Sequence, residues 1–253
     1  MPGREDIFQK AMNEGHSAAW DQEWSKAAGA YRKALQEMPD NPKALNSLGL
    51  ALFQQAQYEE ALQIYQRVAQ IAPQDPVPME KLAQLLERTG HLKEAIEAAF
   101  RAADLFLNQR DVDKAIENWV RVTTLDPEHV QAHSRLALAH ERLGHKSQAV
   151  TEYIAVASLI QRTGNAQKTA ELVTKALQIL PESAEAAQAQ TLLRTGQLLP
   201  KPLRPKGGTG PIAMAQVKQL EKPKQEADSG LDPIAEARKK ALTRLAEILF
   251  EYT

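Results

Sequence analysis

The chain has no cysteine, which removes disulfides, thiolate metal sites and thiol nucleophiles together. Aromatic residues make up only 5% of its 253 residues. None is interleaved with the basic stretch after Lys201, so nucleic-acid contact there would rest on charge alone. Charge of either sign is not in excess either. A formal net charge of −1 gives no global pull toward nucleic acid or an anionic membrane. Long apolar runs are missing: the first twenty residues hold none of signal-peptide length, and no later stretch has the length needed to span a bilayer. A soluble cytoplasmic protein is the expectation.

Catalytic signatures are missing as well. There is no GxxxxGK loop, and GGTGP at 207–211 lacks the lysine and follows no strand. Neither a GxSxG nucleophile elbow nor an HExxH pair occurs. His129 and His133 are four apart and His140 lies two turns further, but the sequence places no supporting carboxylate, and turn chemistry accounts for them better than a metal. His91 and His145 each follow a glycine and read as turn residues. Adjacent carboxylates such as Glu59 and Glu60 fall on solvated helix faces. The expectation is a non-enzymatic protein with no cofactor and no metal.

What is present is periodicity. Between Pro42 and Asp75 two amphipathic helices are predicted, the first with Leu45, Leu48, Gly49 and Leu52 on one face. The second carries Ala61, Leu62, Ile64, Tyr65, Val68 and Ile71 and stops before Pro73, which cannot continue a helix. Gly49 and Ala61 are small among large neighbours, as a close helix crossing requires. Gly15, Ala27, Tyr31, Ala34 and Pro39 precede Gly49, Ala61, Tyr65, Val68 and Pro73 by 34 residues each, so a first copy runs from Phe8 to Asn41. Trp24 holds the place of Tyr58 and is expected to pack under the turn.

After Asp75 the period becomes 54. Leu82, Ala83, Glu87, Arg88, Gly90, His91 and Ala95 recur as Leu136, Ala137, Glu141, Arg142, Gly144, His145 and Ala149. Three helices are predicted in the first unit, near 76–89, 91–108 and 112–126. Counted from Pro76 the middle one is the second helix of a repeat; counted back from Pro127 it is the first helix of another. Either one helix serves two overlapping frames, the reading favoured by the spacing of Ala115, Trp119, Val122 and Pro127, or a long second helix is followed by a single extra one. A helix near 184–194 closes the array, with Gly196 just past its end.

The order Leu45, Leu48, Gly49, Leu52, Tyr58, Ala61, Tyr65, Pro73 resembles the tetratricopeptide repeat. The resemblance implies an all-α, right-handed solenoid of helical hairpins over residues 1–198, with a concave groove lined by the first helix of each hairpin. Groove positions carried over residue by residue are Asn13, Trp20, Lys43, Asn46, Leu50, Phe53, Lys81, Gln84, Arg88, Arg135, Leu138 and Arg142, with His16 beside them. Asn46 would hold a peptide backbone through its amide, the arginines would take carboxylates, and Leu50 and Phe53 would supply apolar contact. Replacing Phe53 and Arg88 by alanine is therefore expected to weaken partner capture and leave stability near that of the parent. Relatives that clamp acidic chaperone tails need cations and amides where this chain has Met12, His16, Ser47, Val77 and Lys81, so that specificity is not expected.

Residues 199–230 have the composition of a flexible linker, rich in proline, glycine and lysine. Residues 231–253 read as an amphipathic docking helix, opened by Asp232 and Pro233 and carrying Ile234, Leu242, Leu245, Ile248, Leu249 and Tyr252 on one stripe. The sequence predicts a scaffold for a protein or peptide partner, with no membrane and no nucleic acid as partners. Two alternatives stay open: self-association or autoinhibition through the last helix, or an N-terminal substrate-presenting or regulatory module of a larger enzyme, since no stop signal follows Tyr252.

Overall fold

The computed structural model describes residues 3–203, which form eleven α-helices and no strand. In chain order these are α1 (Arg4–Trp20), α2 (Trp24–Glu37), α3 (Pro42–Gln54), α4 (Tyr58–Ile71), α5 (Pro76–Thr89) and α6 (Leu92–Asn108). Then follow α7 (Val112–Leu125), α8 (Val130–Arg142), α9 (Lys146–Gln161), α10 (Ala166–Ile179) and α11 (Ala184–Arg194). Each helix packs on the next in the chain, the pattern of a solenoid in which every unit leans on its neighbours. The docking residues Ile234, Leu242, Leu245, Ile248, Leu249 and Tyr252 lie outside the described residues, as does the linker beyond Leu203.

The repeat is a volume-matched hairpin. At its eighth position Gly15 abuts the ring of Tyr31, and Gly49 that of Tyr65; a Cβ on these glycines would sit 2.4 Å and 2.8 Å from ring carbons. The same pair of positions, sixteen residues apart, is filled by Ala83 and Ala99, by Ala103 and Trp119, by Ala137 and Tyr153, and by Ala157 and Val173. Each of these four pairs shares one hydrophobic cluster. Four residues before the second member of each pair stand Ala27, Ala61, Ala95, Ala115, Ala149 and Thr169, all with no exposed surface. Small residues on facing helices let the backbones approach, and bulk on one helix is balanced by its absence on the other.

Six such hairpins fit into ten helices because α6 and α9 each belong to two. Ala83 of α5 clusters with Ala99 of α6, while Ala102, Ala103 and Phe106 of α6 cluster with Ala115 and Trp119 of α7. Packing of α6 on α7 is as close as its packing on α5, and α9 is held in the same way between α8 and α10. Turn geometry agrees. At the fifteenth position of all six hairpins Gln22, Ala56, Gly90, Arg110, Gly144 and Gly164 have φ of 58°, 58°, 84°, 64°, 75° and 85°. This left-handed residue lets the chain reverse, and in the first five of these turns the next N–H donates back to the carbonyl five residues earlier, as His91 does to Leu86 and Asp111 to Phe106. The connections between successive hairpins contain no such residue.

Proline placement explains why two helices are shared. Pro39, Pro73, Pro127 and Pro181 follow the second helices α2, α4, α7 and α10, each of 14 residues. Where the proline would fall inside α6 and α9 the chain has Leu107 and Gln161, and the helices run on to 17 and 16 residues. Ion pairs tie the outer helices of each triplet. Arg121 meets Glu87 at 2.6 Å and Lys114 meets Glu80 at 3.7 Å, joining α7 to α5. In the second triplet Lys175 meets Glu141 at 2.9 Å.

Composition alone puts Leu199 at the start of the linker, and here the structure departs from it. Leu199 is fully buried in the last cluster, its N–H donates to Gln161 Oε1 at 2.8 Å, and Arg162 donates to its carbonyl at 2.7 Å. Ser158 donates to the Pro200 carbonyl, and Lys201 pairs with Glu128. A leucine inside a proline-rich run thus seals the end of α9.

Two glycines separate packing from propensity. Gly49→Leu must displace the Tyr65 ring and is expected to lower stability by about 1–3 kcal/mol through overpacking. Gly29, helical within α2 with nothing near its missing Cβ, is expected to gain about 0.5–1 kcal/mol on Gly29→Ala. Urea unfolding of the two variants checks both signs.

Candidate partner-binding grooves

First helices stand side by side and leave furrows between them. One lies between α1 and α3 and encloses about 690 Å³, with Phe8, Gln9, Met12 and His16 on one wall and Lys43 and Asn46 on the other. Glu5, Asn41, Pro42 and Asp75 complete its lining. A second lies between α6 and α8 and encloses about 340 Å³, with Phe100 facing Val130, Gln131, Ser134, Arg135 and Leu138. The two are the same feature of the repeat. Met12 precedes Asn46 by 34 residues, and Phe100 precedes Ser134 by 34. The shared helix α6 therefore does duty as a groove wall, which a merely long second helix would not.

The residues predicted from sequence divide into groups. Lys43 and Asn46 line the first furrow, Arg135 and Leu138 the second. Asn46 Oδ1 is shielded from solvent and has no hydrogen-bond donor within reach. Asn13 is exposed on α1 and accepts a hydrogen bond from Gln9; Trp20, at the end of α1, is 88% exposed; neither lines a furrow. Leu50 and Arg142 are exposed on α3 and α8, and Lys81 donates to Gln84 within α5.

Phe53 and Arg88 are brought together, with each other. The Arg88 guanidinium lies 4.9 Å from the centre of the Phe53 ring and 5.8 Å from that of Tyr58, and it donates to the Tyr58 hydroxyl at 3.3 Å. Phe53 meets Tyr58 edge-on and packs against the core of the first two hairpins. The expectation that both could be removed at no cost to stability is corrected: they stitch α5 to the second hairpin.

Sequence reading missed Phe100. The signal was available, because Phe100 stands 54 residues after Asn46 and so occupies the same groove position in the overlapping frame. Its ring lies 5.2 Å from that of His129, which caps α8 by accepting from the Ala132 N–H.

The histidines behave as structure. His133 on α8 is buried, with Nδ1 at 2.6 Å from Glu152 and Nε2 at 2.9 Å from the Pro127 carbonyl. Both partners accept, so the ring serves them best as a doubly protonated cation. Burial alone would lower its pKa; the Glu152 hydrogen bond and charge, the Pro127 carbonyl and the charge of Asp126 outweigh burial and raise it. His140 is shifted the other way, by burial first and by nearby His145. Among the described residues no three metal-ligating side chains converge. No described helix is long and apolar enough to cross a membrane.

Hairpins of this length, with these small-residue crossings and first-helix furrows, define a helical-repeat scaffold. The tetratricopeptide repeat family matches residues 12–76 and 100–166, and a second representation of the same repeat matches 52–106. The chain belongs to the tetratricopeptide repeat family, which places it among protein-interaction scaffolds. No curated protein matches it. Among solved structures, a chain of the CopN–Scc3 complex is 26% identical with a TM-score of 0.42, over 45% of this chain and 68% of that one. MamA is 20% identical with a TM-score of 0.39, over 69% and 96%. Pseudomonas aeruginosa pilF is 14% identical with a TM-score of 0.37, over 75% and 99%.

Two outcomes follow from the geometry. Arg88→Ala loses its contacts with two rings and is expected to cost about 0.5–1 kcal/mol, read by urea unfolding. His133 has a folded pKa above its unfolded value of about 6.5, so its stabilisation is complete below that pH and is lost as pH rises through the folded value. The gap in melting temperature between the parent and His133→Gln is expected to be full below about pH 6.5 and to narrow as pH rises above it.

Proposed function

We propose that this protein is a non-enzymatic scaffold that captures segments of protein partners along the furrows between its first helices. The single observation that supports this reading most is the recurrence of the furrow. The same positions of the repeat, Met12 with Asn46 and Phe100 with Ser134, frame an open cleft at both places. Their linings differ. The α1/α3 furrow is the more polar of the two and mixed in charge, suited to the backbone amides of an extended segment, with Lys43 and Asn46 as its contacts. The α6/α8 furrow is apolar at its floor, with Val130 and Leu138 left 37% and 41% exposed. Apolar side chains left in water along a cleft mark a place where another chain gains by covering them.

The test is quantitative affinity capture from the source cell with the full-length chain, read by mass spectrometry. Lys43→Glu is placed in the first furrow, Leu138→Asp in the second, and Val120→Asp on α7 as an exposed apolar control outside both. Specific partners are expected to fall at least about fivefold with one or both furrow variants and to be retained by the control, a change of about 1 kcal/mol in binding. Retention by both furrow variants would remove the reading.

A further inference from the structure

The α6/α8 furrow carries more than an apolar floor. On α6, Glu97 and Asp104 flank Phe100 at three and four residues, which puts them on the face of the helix that lines the cleft. Across it on α8, Arg135 lines the cleft and Arg142 follows two turns later on the same face. Lys93 lies two turns before Phe100, at the N-terminal end of α6. None of these five forms an ion pair among the described residues. The carboxylates beside the α8 cations are engaged elsewhere: Glu141 meets Lys175, and Glu128 meets Lys201. Past Lys93 at its N-terminal end, the α6 rim is acidic at Glu97 and Asp104, and among the described residues no ion pair bridges it to the basic α8 rim across the apolar floor.

We propose that this furrow receives an amphipathic helix of a partner protein, with its apolar stripe on Phe100, Val130 and Leu138, basic side chains along the α6 rim and acidic ones along the α8 rim. This rests on the furrow reading above and specifies its occupant. Shape of charge selects helix over strand. An extended peptide directs its side chains up and down and presents only backbone amides sideways, so it meets both charged rims with dipoles and brings no opposite charge to either. A helix lying in a groove sends side chains to both flanks at once. Both rims repeat at seven residues, about 10.5 Å at 1.5 Å per residue, which is the i, i+7 step along one flank of a ligand helix. A volume near 340 Å³ admits two or three apolar side chains from a helix resting on the rims rather than the whole helix.

The probes are fluorescein-labelled synthetic peptides of about 16 residues, long enough to hold a helix in water, all with one leucine stripe. One has lysine on one flank and glutamate on the other; the second has glutamate on both flanks, the third lysine on both, and the fourth is the mixed peptide with a central proline. Fluorescence anisotropy with the full chain is expected to rank the mixed peptide at least about fivefold above either single-sign peptide, with the proline peptide weakest. Arg135→Glu with Arg142→Glu should move the preference to the all-lysine peptide, and Glu97→Lys with Asp104→Lys to the all-glutamate one. These are surface exchanges, and circular dichroism melts confirm the fold of each variant. Equal affinity for mixed and single-sign peptides, undiminished binding of the proline peptide, or an order unmoved by charge reversal would each overturn the proposal. If no designed helix binds while Leu138→Asp still loses cellular partners, the helix assignment falls and the furrow reading stands; if neither furrow variant loses partners, both fall.

Discussion

Everything in this fold depends on how closely two helices of a hairpin can approach. The Tyr31 ring lies where a side chain at position 15 would be, and the Tyr65 ring where one at position 49 would be. Glycine on one helix and tyrosine on the other make a complementary surface, so the ring is buried against the first helix where that helix has no side chain. Where the pair becomes Ala83 with Ala99, the loss of the ring is matched by bulk from neighbouring elements such as Val122 in the same cluster. An interior packed to crystal density tolerates such exchanges only in matched sets. Alanine at the crossing positions is thus a constraint of distance, not merely of helix propensity.

The doubled use of α6 and α9 follows from the same constraint. A helix can serve two hairpins if it presents small residues along a stripe long enough for two partners. Ala95, Ala99, Ala102 and Ala103 give α6 that stripe. On α9 the burial extends around most of the helix, through Ala149, Val150, Tyr153, Ile154, Val156, Ala157, Ser158 and Leu159. Such a helix must be enclosed on several sides, and α8, α10, α11 and the segment around Leu199 enclose it. The furrows inherit the arrangement. Because α6 is a first helix as well as a second, its face becomes a groove wall, and Phe100 appears where a regular array would have had no cleft. Groove and core are thus two consequences of one helix placement.

Charge follows packing in turn. Glu87 is buried against Arg121 and Glu141 is held by Lys175 and Tyr153, so the acids of α5 and α8 bind the triplet together. The neighbouring cations Arg88 and Arg142 make no ion pair among the described residues. Arg88 turns instead to Phe53 and Tyr58, while Arg142 is left to solvent on α8. One duplicated pair of residues thus has two fates, decided by whether aromatic rings stand next to it.

By itself the sequence determined the hairpin, its period and its crossings, because glycine, alanine and proline act through their own size and backbone limits wherever they stand. The recurrence of Gly15, Gly49, Ala61 and Ala115 fixed which faces are buried, and the 54-residue spacing of Gly90 and Gly144 fixed the duplication. Tertiary structure alone decided which groove residues meet. Phe53 and Arg88 lie 35 positions apart, and their stacking depends on the angle between two hairpins, which no local pattern encodes. Leu199 reads as linker because its neighbours are prolines, and it is core because the end of α9 leaves an apolar site for it. Spacing along the chain dictates what each helix must bury; only the assembled stack dictates what remains open between them.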